Sequence, residues 1–450
     1  MTRKEAERRL QDMTKGLIEK MTPVLFAPVS MQQFATTKDT QARGPMWVSR
    51  TVFSKPKDPT ELKAVVREAL GDLAPGRERV GDFSIDDVKV QWTSFKPSSR
   101  AKEPEPSISE QEKYGGMMQD ITTDIVALYA HGGFYYSGSP ASVRGITLAL
   151  AQETGGRCLV PEYRLSPQNT FPAAIIDLLL AYLTLLYPSE SSMHAAVSPQ
   201  NIVFAGDSSG GNLVLSLLAL VQHIRDHNNG RVPFGGKMVD LPLPAGIATL
   251  SPHCDHTNSF DSHRRNKPYD IFNLDLLPHL QPYFPACDLW PTSPPREDIY
   301  CDGPTLLHPL VSVSTAPSWS AANMPPMFFA CGQENLEDEA YYLSQRAAKA
   351  GTIVQFLQYD ALPHNFALFI PRLPQSLHVL SRFGSFCREV VKYPGGLESE
   401  RKRYPADDAK FLGEPLDLPV SLDEGDRKRQ MQEKVAKRKP WTGPVETANL

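Results

Sequence analysis

A short glycine-rich stretch, GDSSG at residues 206–210, combines hydroxyl side chains with a backbone that can turn sharply. It follows the apolar run 202–205 and precedes leucine-rich residues, so the pattern predicts a strand, a tight turn and a helix. Such a turn pushes the central side chain, Ser208, out of the sheet, where its Oγ can act as a nucleophile. A glycine-rich turn that merely caps a helix has the same composition, so other residues must decide between the two interpretations.

A serine hydroxyl becomes a good nucleophile when a histidine removes its proton and a carboxylate orients that histidine. Two downstream segments supply such groups, each just after an apolar run: GQENLEDE at 332–339 and LPHNF at 362–366. Because strand ends converge at one edge of a parallel sheet, Ser208, an acid from 334–339 and His364 can meet there. Glu334 and Asp338, one helical turn apart, are the candidates for this acid.

The segment YAHGGFYYSGS, residues 129–139, can stabilise negative charge on the oxygen of a reacting carbonyl. It follows another apolar run, and a His-Gly-Gly turn there can aim backbone N–H groups into the space above Ser208. A phosphate-binding loop is the alternative, but neither G-x-G-x-x-G nor G-K-[ST] is present. The candidate donors of this oxyanion hole are the N–H groups of Gly132, Gly133, Phe134 and Ser209.

The elements that must position these residues follow the rhythm of an α/β fold with a mostly parallel sheet. Short apolar strands alternate with helical patterns between about residues 46 and 395. The helix after Ser208 repeats apolar side chains at helical spacing until NNG ends it. The predicted strands are 124–130, 156–163, 201–206, 245–251, 324–332 and 353–360.

Three segments flank or interrupt this pattern. Residues 1–45 are predicted to form one or two helices ahead of the main domain, 46–395. Residues 253–320 are rich in Pro, His and aromatics and too long for an ordinary connection, which predicts an insertion over the C-terminal edge of the sheet. Residues 396–450 are highly charged and are predicted as a solvated helix with disordered ends.

Composition narrows the classes of partner and compartment. The net charge of -4 over 450 residues gives no basic field, which argues against nucleic acid. The six scattered cysteines fit neither a disulfide framework nor a zinc pattern. The longest apolar run, 171–188, is interrupted by Asp177 and predicts a buried helix rather than a membrane span. A charged N-terminus without the apolar core of a signal peptide predicts a cytoplasmic protein.

One further cluster contains side chains of the types that bind metals. The segment SPHCDHTNSFDSH gathers nitrogen, sulfur and oxygen ligands, but their spacing matches no standard zinc pattern, so no metal is expected. The residues concerned are His253, Cys254, Asp255, His256 and His263.

Several motifs in order resemble those of the hormone-sensitive-lipase branch of the α/β-hydrolases, which includes bacterial esterases, arylacetamide deacetylases and fungal steryl-acetyl hydrolases. HGGFYYSGS resembles the family's H-G-G-G-F loop, and PEYRLSPQNTFPAAIID resembles its D-Y-R-L-A-P…F-P-A-A segment. GDSSGGN resembles its G-D-S-A-G-G-N turn, HPLVSV its H-P-L-x-S element, and PHNF stands where the family has H-G-F. The match extends from about residue 120 to 390.

The resemblance implies an α/β-hydrolase fold with a helical cap and a serine hydrolase that cleaves carboxylic esters without a cofactor. It assigns Ser208 as nucleophile and His364 as general base, whereas His131, Tyr163 and Arg164 are expected to be structural. The N-terminal helices and the insertion correspond to the cap, whose aromatic content predicts an apolar small-molecule ester with a short to medium acyl group.

Three departures from the family pattern leave alternatives open. Phe134 replaces the third glycine of the loop, Glu334 stands where Asp is usual, and Asn365 replaces the glycine after the histidine.

An arylformamidase or other amidase is one alternative to an esterase, and a tailoring hydrolase or acyltransferase of a secondary-metabolite pathway is another. The third is a ligand receptor on the same scaffold without catalysis.

Overall fold

The computed structural model describes residues 2–74, 76, 80–97, 103–272, 278–281, 283–320 and 324–438. Strands and helices alternate along most of this length. The strands are β1 Met46–Phe53, β2 Val88–Phe95, β3 Val126–Ala130, β4 Arg157–Pro161, β5 Ile202–Asp207, β6 Arg231–Phe234, β7 Lys237–Asp240, β8 Gly246–Leu250, β9 Met327–Gly332, β10 Val354–Tyr359, β11 Glu400–Tyr404 and β12 Glu414–Pro415. The helices are α1 Arg3–Leu25, α2 Val29–Thr36, α3 Thr60–Leu73, α4 Glu110–Asp120, α5 Arg144–Thr154, α6 Ala173–Leu186, α7 Ser209–His227, α8 Ser262–Arg265, α9 Glu337–Lys349, α10 Phe366–Phe369, α11 Pro374–Lys392 and α12 Glu424–Val435.

A single large sheet runs through the centre in the order β1-β2-β4-β3-β5-β8-β9-β10-β11-β12, and β6 pairs with β7 as a separate hairpin. Strands β4 to β11 in this order are parallel, whereas β1 and β2 are antiparallel at one edge. All six strands predicted from apolar runs are confirmed, and they are neighbours in the sheet. The edge strands β1 and β2 were missed because they alternate polar and apolar residues instead of forming continuous apolar runs.

Helices cover both faces of the sheet, which explains the apolar runs in its central strands. Along β5, Ile202 and Phe204 face the core shared with α3, α6 and α7. Val203 and Ala205 face the opposite core, shared with α1, α5 and α11. The alternation follows from the two-residue period of a strand. The predicted buried helix at 171–188 is α6, in which every residue is buried. No helix in the described ranges has the length and hydropathy needed to cross a bilayer.

The two regions predicted to form a cap contact one another. The ring of Phe26, at the end of α1, stacks on Tyr283 with centroids 5.4 Å apart. Val29 at the start of α2 is fully buried beside Trp290 and Ile299. The insertion between β8 and β9 contains only the short helix α8 and single turns of 3-10 helix among its described residues, because its many prolines prevent longer helices.

The prediction of a solvated tail after residue 395 is wrong for residues 400–404, which form β11 beside β10. The Tyr404 ring stacks on Tyr359 at 4.8 Å, and Arg403 Nε lies 2.6 Å from the buried carboxylate of Asp360. Charged residues can occupy this strand because it lies near the sheet's edge, where their side chains reach water or a counter-ion. The predicted helix is present as α12, and residues 439–450 lie outside the described part.

Arg164, expected to be structural, forms an ion pair with a buried carboxylate of α6. Its Nη2 lies 2.8 Å from Asp177 Oδ1, and the Asp177 side chain is only 2% exposed. We expect Arg164→Ala to lower the free energy of unfolding by about 3 kcal/mol, because it removes the cation that is paired with this buried carboxylate. Arg231→Ala breaks the exposed pair with Asp240 and should cost less than about 1 kcal/mol. Equal losses in denaturant titrations of the two variants would contradict this account.

Candidate active site

Ser208 occupies a strained turn between β5 and α7. Its φ of 54° and ψ of -124° are unusual for a residue with a side chain, so the surrounding packing must hold it there. Its N–H donates to the carbonyl of Leu250 at 2.9 Å. The glycines on either side permit close approach: a Cβ at Gly206 would lie 2.6 Å from the Gly210 oxygen, and one at Gly210 would lie 2.1 Å from the Ala130 oxygen. The turn therefore needs its glycines for packing against the neighbouring strand end.

His364, on the loop after β10, bridges the serine and a carboxylate. Its Nε2 lies 2.9 Å from Ser208 Oγ, and its Nδ1 lies 2.9 Å from Glu334 Oε1. The other oxygen of Glu334 accepts hydrogen bonds from Ser251 Oγ at 2.7 Å and from the N–H of Gly332 at 3.0 Å. Glu334 is fully buried, so its carboxylate is held in one orientation and holds the imidazole in turn.

Carboxylates control the charge of the His364 imidazole. Burial by itself lowers the pKa of His364, but the carboxylates of Glu334, Asp270 and Asp207 outweigh burial and raise that pKa above its usual 6.5. Asp270, buried in the insertion, accepts hydrogen bonds from the N–H groups of Asn335 at 2.6 Å and Phe272 at 3.1 Å. The sequence alone does not indicate Asp270, because nothing in the insertion's composition distinguishes it from a surface acid.

The predicted oxyanion donors do not all have the same role. The N–H of Gly132 donates to Asp207 Oδ1 at 3.2 Å, so its prediction as a donor to the substrate is wrong. Gly133 has a φ of 125°, and a Cβ there would lie 2.1 Å from the Ser137 oxygen. In the described part of the chain the N–H groups of Gly133 and Phe134 have no hydrogen-bond acceptor, and that of Ser209 begins α7, where no helical partner exists. These three groups are the remaining candidates.

Asp207, the residue before the serine, connects three segments of the site. Its Oδ1 accepts hydrogen bonds from Tyr129 Oη at 2.8 Å and from Gly132, whereas its Oδ2 accepts one from Asn365 Nδ2 at 2.7 Å. Asn365 has a φ of 50°, a left-handed conformation that asparagine tolerates better than most residues. The asparagine at this position therefore adds a bond between the histidine loop and the nucleophile turn.

The second predicted acid and the other loop residues have separate partners. Asp338 Oδ1 lies 2.5 Å from Arg265 Nη2, so the structure brings Glu334 rather than Asp338 to His364. Tyr163 Oη donates to the His131 carbonyl at 2.7 Å, and the two rings stack at 4.3 Å. Burial lowers the pKa of His131 to about 4, which keeps this imidazole neutral beneath the loop.

The cluster weighed as a zinc site is dispersed among other contacts. His253 stacks on His256 at 4.2 Å, whereas His263 Nε2 lies 3.2 Å from Glu339 Oε2. Asp255 accepts hydrogen bonds from the backbone and side chain of Thr257. Among the described residues, no group of three or more metal-binding side chains is placed to hold an ion.

A cavity of about 640 Å³ opens beside Ser208 and His364. Aromatic rings form its wall next to the imidazole: Phe134 meets Phe272 edge-on at 5.0 Å, and Phe272 lies 5.2 Å from the His364 ring. The cavity gives a substrate access to the hydroxyl, and its aromatic wall limits the space beside the reacting atoms.

Comparisons with known proteins agree with this geometry. The family described as alpha/beta hydrolase fold matches residues 127–368, more than half of the chain. An acetyl-hydrolase of Streptomyces hygroscopicus is 31% identical over 59% of this chain and 75% of its own length. An esterase of Acinetobacter venetianus is 24% identical over 60% of this chain and 77% of its own length.

Solved structures share the fold. A hormone-sensitive-lipase homologue from a metagenome library has a TM-score of 0.52 at 20% identity and covers 87% of this chain and 99% of its own. An esterase/lipase from an uncultured bacterium has a TM-score of 0.50 at 24% identity and covers 74% and 98%. Sheet order, nucleophile turn and relatives together define an α/β hydrolase. The chain belongs to the alpha/beta hydrolase fold family.

The backbone at Asn365 generates a prediction about stability. Glycine adopts a φ of 50° freely, whereas alanine does so at a cost of about 1–2 kcal/mol. Both substitutions remove the same hydrogen bond to Asp207, so Asn365→Gly should be more stable than Asn365→Ala by about 1–2 kcal/mol in denaturant titrations. Alanine normally stabilises a chain relative to glycine, so the usual order at this position would refute the left-handed conformation.

The raised pKa of His364 predicts the pH dependence of catalysis. The imidazole must be neutral to accept the serine proton, so kcat/KM should fall as pH decreases through a pKa above 6.5. Glu334→Gln removes the nearest carboxylate, which should move this acidic limb to lower pH and reduce kcat by about 10²–10⁴. If the acidic limb of kcat/KM against pH lies at the same pH in Glu334→Gln as in the unaltered protein, Glu334 does not raise the pKa of His364.

Proposed function

We propose that this protein hydrolyses carboxylic esters through an acyl-serine intermediate, with Ser208 as nucleophile, His364 as general base and Glu334 as the acid that orients it. The observation that carries the proposal is the imidazole held at 2.9 Å from both the hydroxyl and the carboxylate. Relatives named acetyl-hydrolase and esterase support the same reaction.

The reaction follows from these contacts. His364 Nε2 removes the Ser208 proton while Oγ attacks the ester carbonyl, and the N–H groups of Gly133, Phe134 and Ser209 stabilise the negative oxygen. His364 then gives the proton to the departing alcohol, which leaves the acyl group on Ser208. Water repeats the sequence with the same base and releases the acid.

The longer side chain of Glu334 is accommodated by its position after β9. Its Oε2 folds back to the N–H of Gly332, two residues earlier, and this leaves Oε1 directed at His364. Glutamate therefore serves where the family usually has aspartate, because the additional methylene is taken up by the bend towards its own strand. The imidazolium formed during the reaction is stabilised by this carboxylate and by Asp270 and Asp207 nearby.

We propose short-acyl esters as substrates, since the Phe134 and Phe272 rings limit the space beside His364. The name of the relative from Streptomyces hygroscopicus, acetyl-hydrolase, supports a small acyl group. The N-terminal helices and the insertion are proposed to act as the cap that covers this site. Cytoplasmic location stays a prediction from the sequence.

The assignment of the nucleophile is tested by Ser208→Ala. We expect loss of at least about 10⁴-fold in kcat/KM for p-nitrophenyl acetate and loss of labelling by a fluorophosphonate probe, because no other hydroxyl among the described residues is bonded to His364. Ser191→Ala, a change at an exposed serine, is the matched control, and unfolding curves should show both variants folded. Turnover or labelling retained in Ser208→Ala would overturn the proposal.

A further inference from the structure

The C-terminal segment, predicted from sequence to be solvated, forms part of the wall of the catalytic cavity. Residues of α12 and of the loop before it line the same cavity as Ser208 and His364, opposite residues of the insertion. This placement gives the charged end of the chain a direct route to influence substrate binding. The lining residues are Pro419, Val420, Ser421, Arg427, Gln430, Glu433, Lys434 and Lys437.

Specific contacts hold α12 against the insertion. The Arg427 guanidinium lies 3.6 Å from the centroid of the Phe260 ring and donates to the Ser259 carbonyl at 3.2 Å. Met431, one turn further, is 1% exposed, and Glu424 Oε1 lies 2.9 Å from Arg346 Nε. The helix is therefore held against the insertion as one wall of the cavity.

The charge around the cavity mouth is opposite in sign to that of the whole protein. The chain carries a net charge of -4, yet cationic side chains outnumber anionic ones among the described residues that line the cavity. The cations are Arg264, Lys267, Arg427, Lys434 and Lys437, and the anions are Asp261, Asp338 and Glu433.

Two of these acids are already paired with arginines. Asp338 binds Arg265, and Asp261 Oδ1 lies 3.6 Å from Arg264 Nη2. Lys434 and Lys437 are exposed, and neither forms an ion pair within the described ranges. Both lysines line the same cavity as His263.

We propose that Lys434 and Lys437, which line the cavity, bind an anionic group of the substrate: a carboxylate, phosphate or sulfate. Lysine ammonium groups offer three donors each and suit such oxygens. The inference rests on the proposed ester hydrolysis and deepens it, because the aromatic wall next to His364 takes the ester end while the cationic mouth takes the charged end. The substrate is therefore amphiphilic, in contrast to the apolar ester expected from composition.

Matched ester pairs test this inference. With the anion on the alcohol side, 4-acetoxybenzoate is compared with its neutral methyl ester. With the anion on the acyl side, 4-nitrophenyl hemisuccinate is compared with its neutral methyl ester, methyl 4-nitrophenyl succinate. In at least one pair, Lys434→Gln/Lys437→Gln should lower the anionic-to-neutral ratio of kcat/KM by about three- to tenfold, the effect of two partly exposed ion pairs. The intrinsic reactivity of each ester cancels because every variant receives the same esters.

Lys428→Gln is the matched control, because Lys428 is exposed on α12 but does not line the cavity. Its ratio should equal that of the unaltered protein, and added salt should reduce the preference only where Lys434 and Lys437 are intact. A ratio unchanged by Lys434→Gln/Lys437→Gln in both pairs overturns the inference, whichever side carries the anion.

Failure of the proposed function has a different signature: no turnover of either ester that depends on Ser208. In that case equilibrium binding of the same esters to Ser208→Ala decides the inference. The anionic ester should bind about three- to tenfold more weakly when Lys434→Gln/Lys437→Gln is added to Ser208→Ala. Equal affinity of the anionic ester for Ser208→Ala with and without Lys434→Gln/Lys437→Gln would show that the two lysines do not bind the anion, whatever reaction the protein catalyses.

Discussion

The imidazole of His364, bonded on one side to a hydroxyl and on the other to a buried carboxylate, is the interaction on which the rest of the structure depends. Each partner comes from the end of a different parallel strand, so the contact exists only if β5, β9 and β10 are in register. Three carboxylates surround one base, which favours the charged imidazolium that forms during proton transfer. The sheet therefore positions the three side chains, and the buried carboxylates stabilise the charge that forms on the imidazole.

Backbone strain is concentrated at the same place. Ser208 and Asn365 both have a positive φ, and Asp207 is bonded to Asn365 and to the loop at Gly132. Strained residues persist where the surrounding structure over-determines them. Here Asp207 fixes the nucleophile turn, the histidine loop and the loop of candidate oxyanion donors relative to one another. The departure from the family's glycine at Asn365 thus contributes one of these links.

The sequence predicted the parts of the molecule that are encoded locally. Continuous apolar runs mark strands buried on both faces, and the glycine-rich turn marks Ser208, so the parallel sheet and the three central side chains could be placed. The role of Asp270 and the bond between Asp207 and Asn365 could not be predicted, because both depend on contacts between distant segments of the chain. The prediction that the residues after 395 are solvated failed for a related reason. Strand β11 and helix α12 are charged, and they are held by ion pairs and by Arg427 over Phe260 rather than by an apolar pattern.

The most direct measurement is rapid-quench mass spectrometry of the protein mixed with p-nitrophenyl acetate, whose good leaving group makes acylation faster than deacylation. Peptide mapping should find one acetyl group, attached to Ser208, formed as fast as p-nitrophenol is released. Release of p-nitrophenol without any covalent adduct, or an acetyl group on another residue, would contradict the account that this serine, activated by the bridged histidine, carries the reaction.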